Sequence, residues 1–189
     1  MALTLANLVA NRTLSPEMAA TLAAAAEERR SLLFVGIPRM AGKSTLMQAA
    51  LQHAPAGTPL HHLSTAEGQG LGIPAAGDSG YLVVSEVSTA PYADYLWGAD
   101  ARRVFAALER GFSLATALHA GGVDEAFEVL THENGIPAEQ AASWSTSAAS
   151  ARGQARVAGS WQRSRRPTAS TLARHAYCIA GPSRTIDSR

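Results

Sequence analysis

Lys43 is the only lysine in the chain, and it stands in Gly42-Lys43-Ser44-Thr45. The segment follows an apolar run, Leu32-Leu33-Phe34-Val35-Gly36, and precedes a helix-like run, Leu46-Met47-Gln48-Ala49-Ala50-Leu51. Strand, tight loop, Gly-Lys-Ser/Thr and helix is the order in which a chain builds a phosphate-binding loop. Loop N–H groups and the helix N-terminus concentrate positive potential on a polyphosphate. In such a loop Lys43 reaches the β and γ phosphates, and the Ser44 hydroxyl ligates Mg²⁺. The expected ligand is therefore a nucleotide, ATP with Mg²⁺, cradled by Gly36, Ala41, Gly42, Lys43, Ser44 and Thr45.

The spacing departs from G-x-x-x-x-G-K-[ST], which would place its first glycine at position 37. Ile37 stands there, Gly36 comes one residue early, and Pro38, Arg39 and Met40 fill the loop. Glycine serves in such loops because the chain turns tightly and lies close to phosphate, so these side chains narrow the cradle. Without a ligand, the same residues make an ordinary helix start, where serine and glycine are common.

A second group of residues bears on catalysis. Glu86 ends the apolar run Tyr81-Leu82-Val83-Val84-Ser85-Glu86, where an acid either acts on Mg²⁺ and the attacking water or marks the strand's exit into solvent. His119 ends Phe112–Leu118 and is placed to hydrogen-bond a γ-phosphate; a histidine there also serves structure alone. Glu67, in Ser64-Thr65-Ala66-Glu67, is a further candidate to activate water, or is simply solvated. His61 and His62 are neighbours on a strand and point to opposite faces, so they do not form a zinc site.

The elements that must position these residues are legible from pattern. Ser15-Pro16-Glu17 starts a helix expected to run to about Arg30. Strands are expected at Leu32–Gly36, Leu60–Thr65, Tyr81–Glu86 and Phe112–Leu118. Helices are expected after the phosphate loop, from Asp94 to Arg110, and from Asp124 to His132, with a glycine-rich loop over residues 66–80. Alternating strands and helices predict an α/β fold with a mainly parallel sheet flanked by helices. Ligands of such sheets bind at the C-terminal strand ends, where Gly36, Glu86 and His119 all fall.

Charge divides the chain in two. Residues 1–140 carry eight basic against fourteen acidic side chains, whereas residues 141–189 carry eight arginines against Asp187 alone. The first segment is expected to be the folded domain. The second, rich in serine, alanine and arginine, is expected to be a disordered basic tail. No folded module or aromatic interleaving in it points to specific nucleic-acid recognition. One cysteine, Cys178, suits a reducing compartment, and no run of apolar residues has the length of a membrane span. A cytoplasmic protein is expected.

Several of these motifs occur in a familiar order. Leu3–Ala10, Thr13–Ala19, the strand and phosphate loop, Val83-Val84-Ser85-Glu86-Val87, Gly111–Ala120 and Asp124–Leu130 together resemble the tight-adherence (Flp) pilus ATPases of the type II/type IV secretion superfamily. The resemblance covers about residues 3–140. It implies a RecA-like P-loop ATPase domain, working in hexameric rings at the cytoplasmic face of the inner membrane with a pilus or secretion complex. By the same resemblance Lys43 and Ser44 match the P-loop lysine and Mg²⁺ ligand, and Glu86 matches the Walker B glutamate. His119 matches the histidine box, and Glu67 is a faint match to the acidic box. The family's arginine-rich elements between Glu67 and Glu86 are missing. Two other functions fit the residues: a non-catalytic nucleotide-binding subunit, and a small-molecule kinase with its acceptor near residues 66–80.

Overall fold

The computed structural model describes residues 2–37, 41–66, 70–75, 79–142 and 146–148. Helix α1 (Leu5–Ala10) opens with a reciprocal cap. The Thr4 hydroxyl accepts from the Asn7 N–H, and the Asn7 amide oxygen accepts from the Thr4 N–H, both at 3.1 Å. Helix α2 (Pro16–Glu27) starts as expected at Ser15, whose hydroxyl accepts from the Met18 N–H. It stops short of Arg30 because Arg29 turns left-handed, with φ 52°. That turn lets the Arg29 and Arg30 N–H groups satisfy the carbonyls of Ala26 and Ala25.

Strand β1 (Leu32–Val35) leads into α3 (Lys43–Leu51), followed by β2 (Leu60–His62), β3 (Tyr81–Val87) and the short β4 (Tyr95–Leu96). Helix α4 (Ala99–Leu108) and β5 (Ser113–Leu118) come next. Helix α5 (Val123–Glu128) runs on into a π-helical turn at Val129–Glu133, and α6 (Ala138–Ala141) and β6 (Thr146–Ala148) complete the order. The fold is α/β. The strands lie side by side as β2-β3-β5-β1-β6, with β4 extending β3, and every pairing is parallel. The end of α6 and strand β6 fall within residues 141–189, the segment read from composition as a disordered tail, and residues 143–145 and 149–189 lie outside the described residues.

Alternating side chains sort the core into two layers. Leu32 and Phe34 of β1, Val83 of β3, and Ala115 and Ala117 of β5 pack against α1, α2 and α3. Leu33, Val35, Leu82, Val84, Leu114 and Leu118 pack against α4, α5 and α6. Burial on both faces explains why these strands read as continuous apolar runs.

At the N-terminal edge of the sheet, Tyr81 is fully buried and its hydroxyl donates to the Arg30 carbonyl at 2.8 Å. Burial pushes this phenol above its ordinary range, and the nearby Arg29 charge opposes the shift only in part. Because the folded state holds the proton more tightly, the contribution is full below the unfolded phenol's pKa of about 10 and is lost as pH rises above it. Tyr81→Phe is expected to cost about 1 kcal/mol at neutral pH. Urea melts at pH 8 and pH 11 should show a smaller alkaline loss in the variant than in the parent.

Candidate functional site

The site forms where β1 and β5, adjacent in the sheet, send their chains to opposite faces. From β1 the chain enters α3 on one layer, and from β5 it enters α5 on the other. Such a divergence opens a crevice at the C-terminal strand ends. Gly36 stands on one wall, its N–H donating to the Leu118 carbonyl at 3.3 Å. His119 follows Leu118 on the other wall; it is exposed and makes no hydrogen bond among the described residues.

Gly42 turns the chain into α3 with φ 85°, a conformation glycine adopts without strain, and offers no side-chain cap. The first N–H groups of α3 are thus left to water or a ligand. Lys43 is 6 % exposed and bends back over this turn. Its Nζ donates to the Gly36 carbonyl at 3.1 Å and lies 3.5 Å from Glu86 Oε2, in an ion pair largely withdrawn from solvent. The Ser44 hydroxyl is exposed and unpartnered among the described residues, while Ala41 and Thr45 are half-buried. Pro38, Arg39, Met40 and Glu67 lie outside the described residues.

Glu86 reaches Lys43 because of an irregularity in β3. Val84 pairs with Thr116 and Val87 with Leu118, so Ser85 and Glu86 together oppose Ala117. This bulge inserts one residue and inverts the alternation beyond it. Val84 and Val87, three apart, both pack on the α4–α5 layer, and Glu86 is turned towards α3. Strict alternation from Val84 would have sent Glu86 to the opposite layer from Lys43.

Ile37 occupies the position where the phosphate-loop pattern has its first glycine, and it is 56 % exposed. It crosses the crevice towards Gly121: a β-carbon built there would stand 2.9 Å from both Ile37 Cδ1 and Glu125 Oε2. The Gly121 N–H itself donates to Glu125 at 2.6 Å. The reading from residues alone missed this contact, whose signal was the pair Gly121-Gly122 after the strand. Gly121→Val is expected to push Ile37 aside and cost about 1–3 kcal/mol, measured by urea unfolding. Ile37→Gly in the same background should restore most of that loss.

On the side of β3 away from β5, a groove of about 470 Å³ opens between Thr65-Ala66, the 88–93 loop and the start of α4. Its walls include Tyr92, Tyr95, Trp97 and Asp100. Among the described residues no three His, Cys, Asp or Glu side chains gather to hold a metal ion by themselves. No described helix is long and apolar enough to cross a membrane. No family model matches the chain, and no curated protein matches it.

Proposed function

We propose that this chain binds ATP with Mg²⁺ at the turn from β1 into α3 and hydrolyses it, as a relative of the pilus-assembly and secretion motor ATPases with a RecA-like core. The observation that carries this reading is the pairing of Lys43 with Glu86 beside a glycine-turned helix start, at the C-terminal edge of a parallel sheet. A lysine and a carboxylate held together at that edge are the two charges that phosphoryl transfer requires of a protein.

Mg²⁺ fits the donors present. It favours one or two protein oxygens, with substrate phosphates and water completing its shell. The free Ser44 hydroxyl and the Glu86 carboxylate supply such a set. When bound, the metal would neutralise charge on the β and γ phosphates. The chain's own residues perform the rest. Lys43 exchanges its contacts with Glu86 and Gly36 for phosphate oxygens, and the freed Glu86 either holds the metal or orients the attacking water and takes its proton. His119, exposed at the next strand end, donates a hydrogen bond towards the γ-phosphate, and Glu67 is the second candidate base. Assembly in a homo- or hetero-oligomeric ring with a secretion complex, at the cytoplasmic side of a membrane, belongs to the same proposal.

A specific observation favours a second reading, a nucleotide-binding subunit without turnover. Ile37 stands across the crevice at the position where the phosphate-loop pattern has glycine, and Lys43 is held by Glu86 and the Gly36 carbonyl. Mg²⁺-dependent ATP binding and phosphate release, measured on the intact chain and on Lys43→Ala, separate the readings. Turnover lost in the variant supports the ATPase. Binding without turnover supports the silent subunit, and absence of binding overturns both.

A further inference from the structure

The groove beside β4 has a chemical character that nucleotide binding does not use. Tyr92 and Tyr95 meet edge to face, 5.0 Å between ring centroids, and Tyr92 is 57 % exposed. Trp97 forms a further wall, and Thr65 and Ser88 contribute hydroxyls. Among the described lining residues Asp100 is the one that carries a charge, and none of them is lysine, arginine or histidine. The ion pair of Asp100 with Arg103, at 3.2 Å, involves a side chain 69 % exposed, and such surface pairs exchange partners at little cost. Aromatic faces beside a carboxylate select a cation. A guanidinium suits them best, because it stacks on rings and bonds a carboxylate in its own plane.

The chain carries that group itself. Residues 149–189 hold eight arginines against one acid, whereas residues 1–148 hold eight basic against fourteen acidic side chains. Strand β6 is parallel to β1 and ends at Ala148, at the sheet edge on which the groove opens. Between β6 and β4 lie β1, β5 and β3, a span of about 19 Å at ~4.8 Å per step. Arg152 is four residues past Ala148 and reaches only about 14 Å when extended. Arg163, Arg165 and Arg166 are at least fifteen residues past it and have length to spare, at roughly 50 Å extended.

We propose that the arginine-rich segment after β6 docks back on its own domain, with Arg163, Arg165 and Arg166 supplying the guanidinium that enters the groove between the aromatic rings and Asp100. The occupant is an arginine of the same chain. The proposal is independent of nucleotide binding, and Lys43→Ala is expected to leave it unchanged.

The test is amide hydrogen exchange on the full chain. It follows the N–H groups of Tyr92 and Tyr95, which donate to the Ala90 and Tyr92 carbonyls in the groove wall. Combined Arg163→Ala, Arg165→Ala and Arg166→Ala is expected to speed their exchange about five- to thirtyfold, and Asp100→Asn to do the same. Joining the two sets should add nothing further. Unchanged exchange in the arginine variant overturns the proposal. An arginine effect that persists in full on the Asp100→Asn background also overturns it, since the arginines would then act elsewhere. Protection that grows with protein concentration replaces it with docking from a second copy. The amides of β5 report whether each variant is folded. If Asp100→Asn perturbs them, Tyr92→Ala, at an exposed position, takes its place.

Discussion

Replacing Glu86 by glutamine is expected to tighten ATP binding about tenfold while lowering phosphate release by roughly two to four orders of magnitude. The opposite signs follow from one contact. Glu86 Oε2 lies 3.5 Å from Lys43 Nζ, and both side chains are largely buried, so an arriving polyphosphate must take the lysine from the carboxylate. Glutamine keeps the volume and a hydrogen-bonding oxygen but removes the competing charge. Lys43 then faces only neutral acceptors, the glutamine oxygen and the Gly36 carbonyl, which phosphate displaces easily. The same substitution removes the base from the proposed hydrolysis. Calorimetric titration with ATP·Mg²⁺ and a phosphate-release assay read the two effects separately. Weaker binding in Glu86→Gln would refute the competition, and unchanged release would remove Glu86 from the chemistry.

Asn134→Ala is expected to destabilise the fold by about 2–4 kcal/mol without touching the site. Asn134 is fully buried and joins two elements distant in sequence. Its side-chain oxygen accepts from the Gly98 N–H at 2.8 Å, ahead of α4, and its amide donates to the Val129 carbonyl at 2.9 Å, in the π-helical turn. Its own carbonyl accepts from Arg102 at 2.7 Å. Alanine keeps that last bond but leaves the Gly98 N–H without its acceptor and opens a void. Chemical denaturation should show a lower midpoint with an unchanged slope. A loss under 1 kcal/mol would mean that water replaces the amide.

The parts of this fold that could be read from residues are those whose signal is local. Strands β1, β3 and β5 announced themselves as apolar runs because both sheet faces are covered there, whereas β2 is largely exposed and ends at His62, short of the expected Thr65. Ser15-Pro16 fixed the start of α2 because capping needs only neighbours. Strands β4 and β6, two and three residues long, carry no period, and each exists only through a partner: β4 on Glu86 and Val87, β6 on Leu32, Leu33 and Phe34. Helix α1 is six residues long, too short for a periodic signal, although its Thr4–Asn7 cap was visible in hindsight. The π-helical turn depends on Asn134, whose role is set by contacts with Gly98 and Arg102.

At the site, Lys43 and Glu86 were identifiable by residue type and by position in their elements. Their meeting was not, because it depends on a bulge opposite Ala117 that no pattern of apolar residues encodes. The reach of Ile37 towards Gly121 is likewise a property of two loops folded against each other. Long-range packing decides both.

The strand order also governs how the molecule comes into being. Strand β1 pairs on one side with β5, Leu32 against Ala115, and no earlier strand takes that place. During synthesis, β1 therefore waits for a segment more than eighty residues downstream before its hydrogen bonds on that side can close. Closing so long a loop before any reward is slow, and the interval exposes an apolar strand from which a nascent chain can aggregate. The crevice at Gly36 and His119 is made by the same closure. Any ligand that binds there can stabilise only a nearly finished domain, and cannot guide its early assembly.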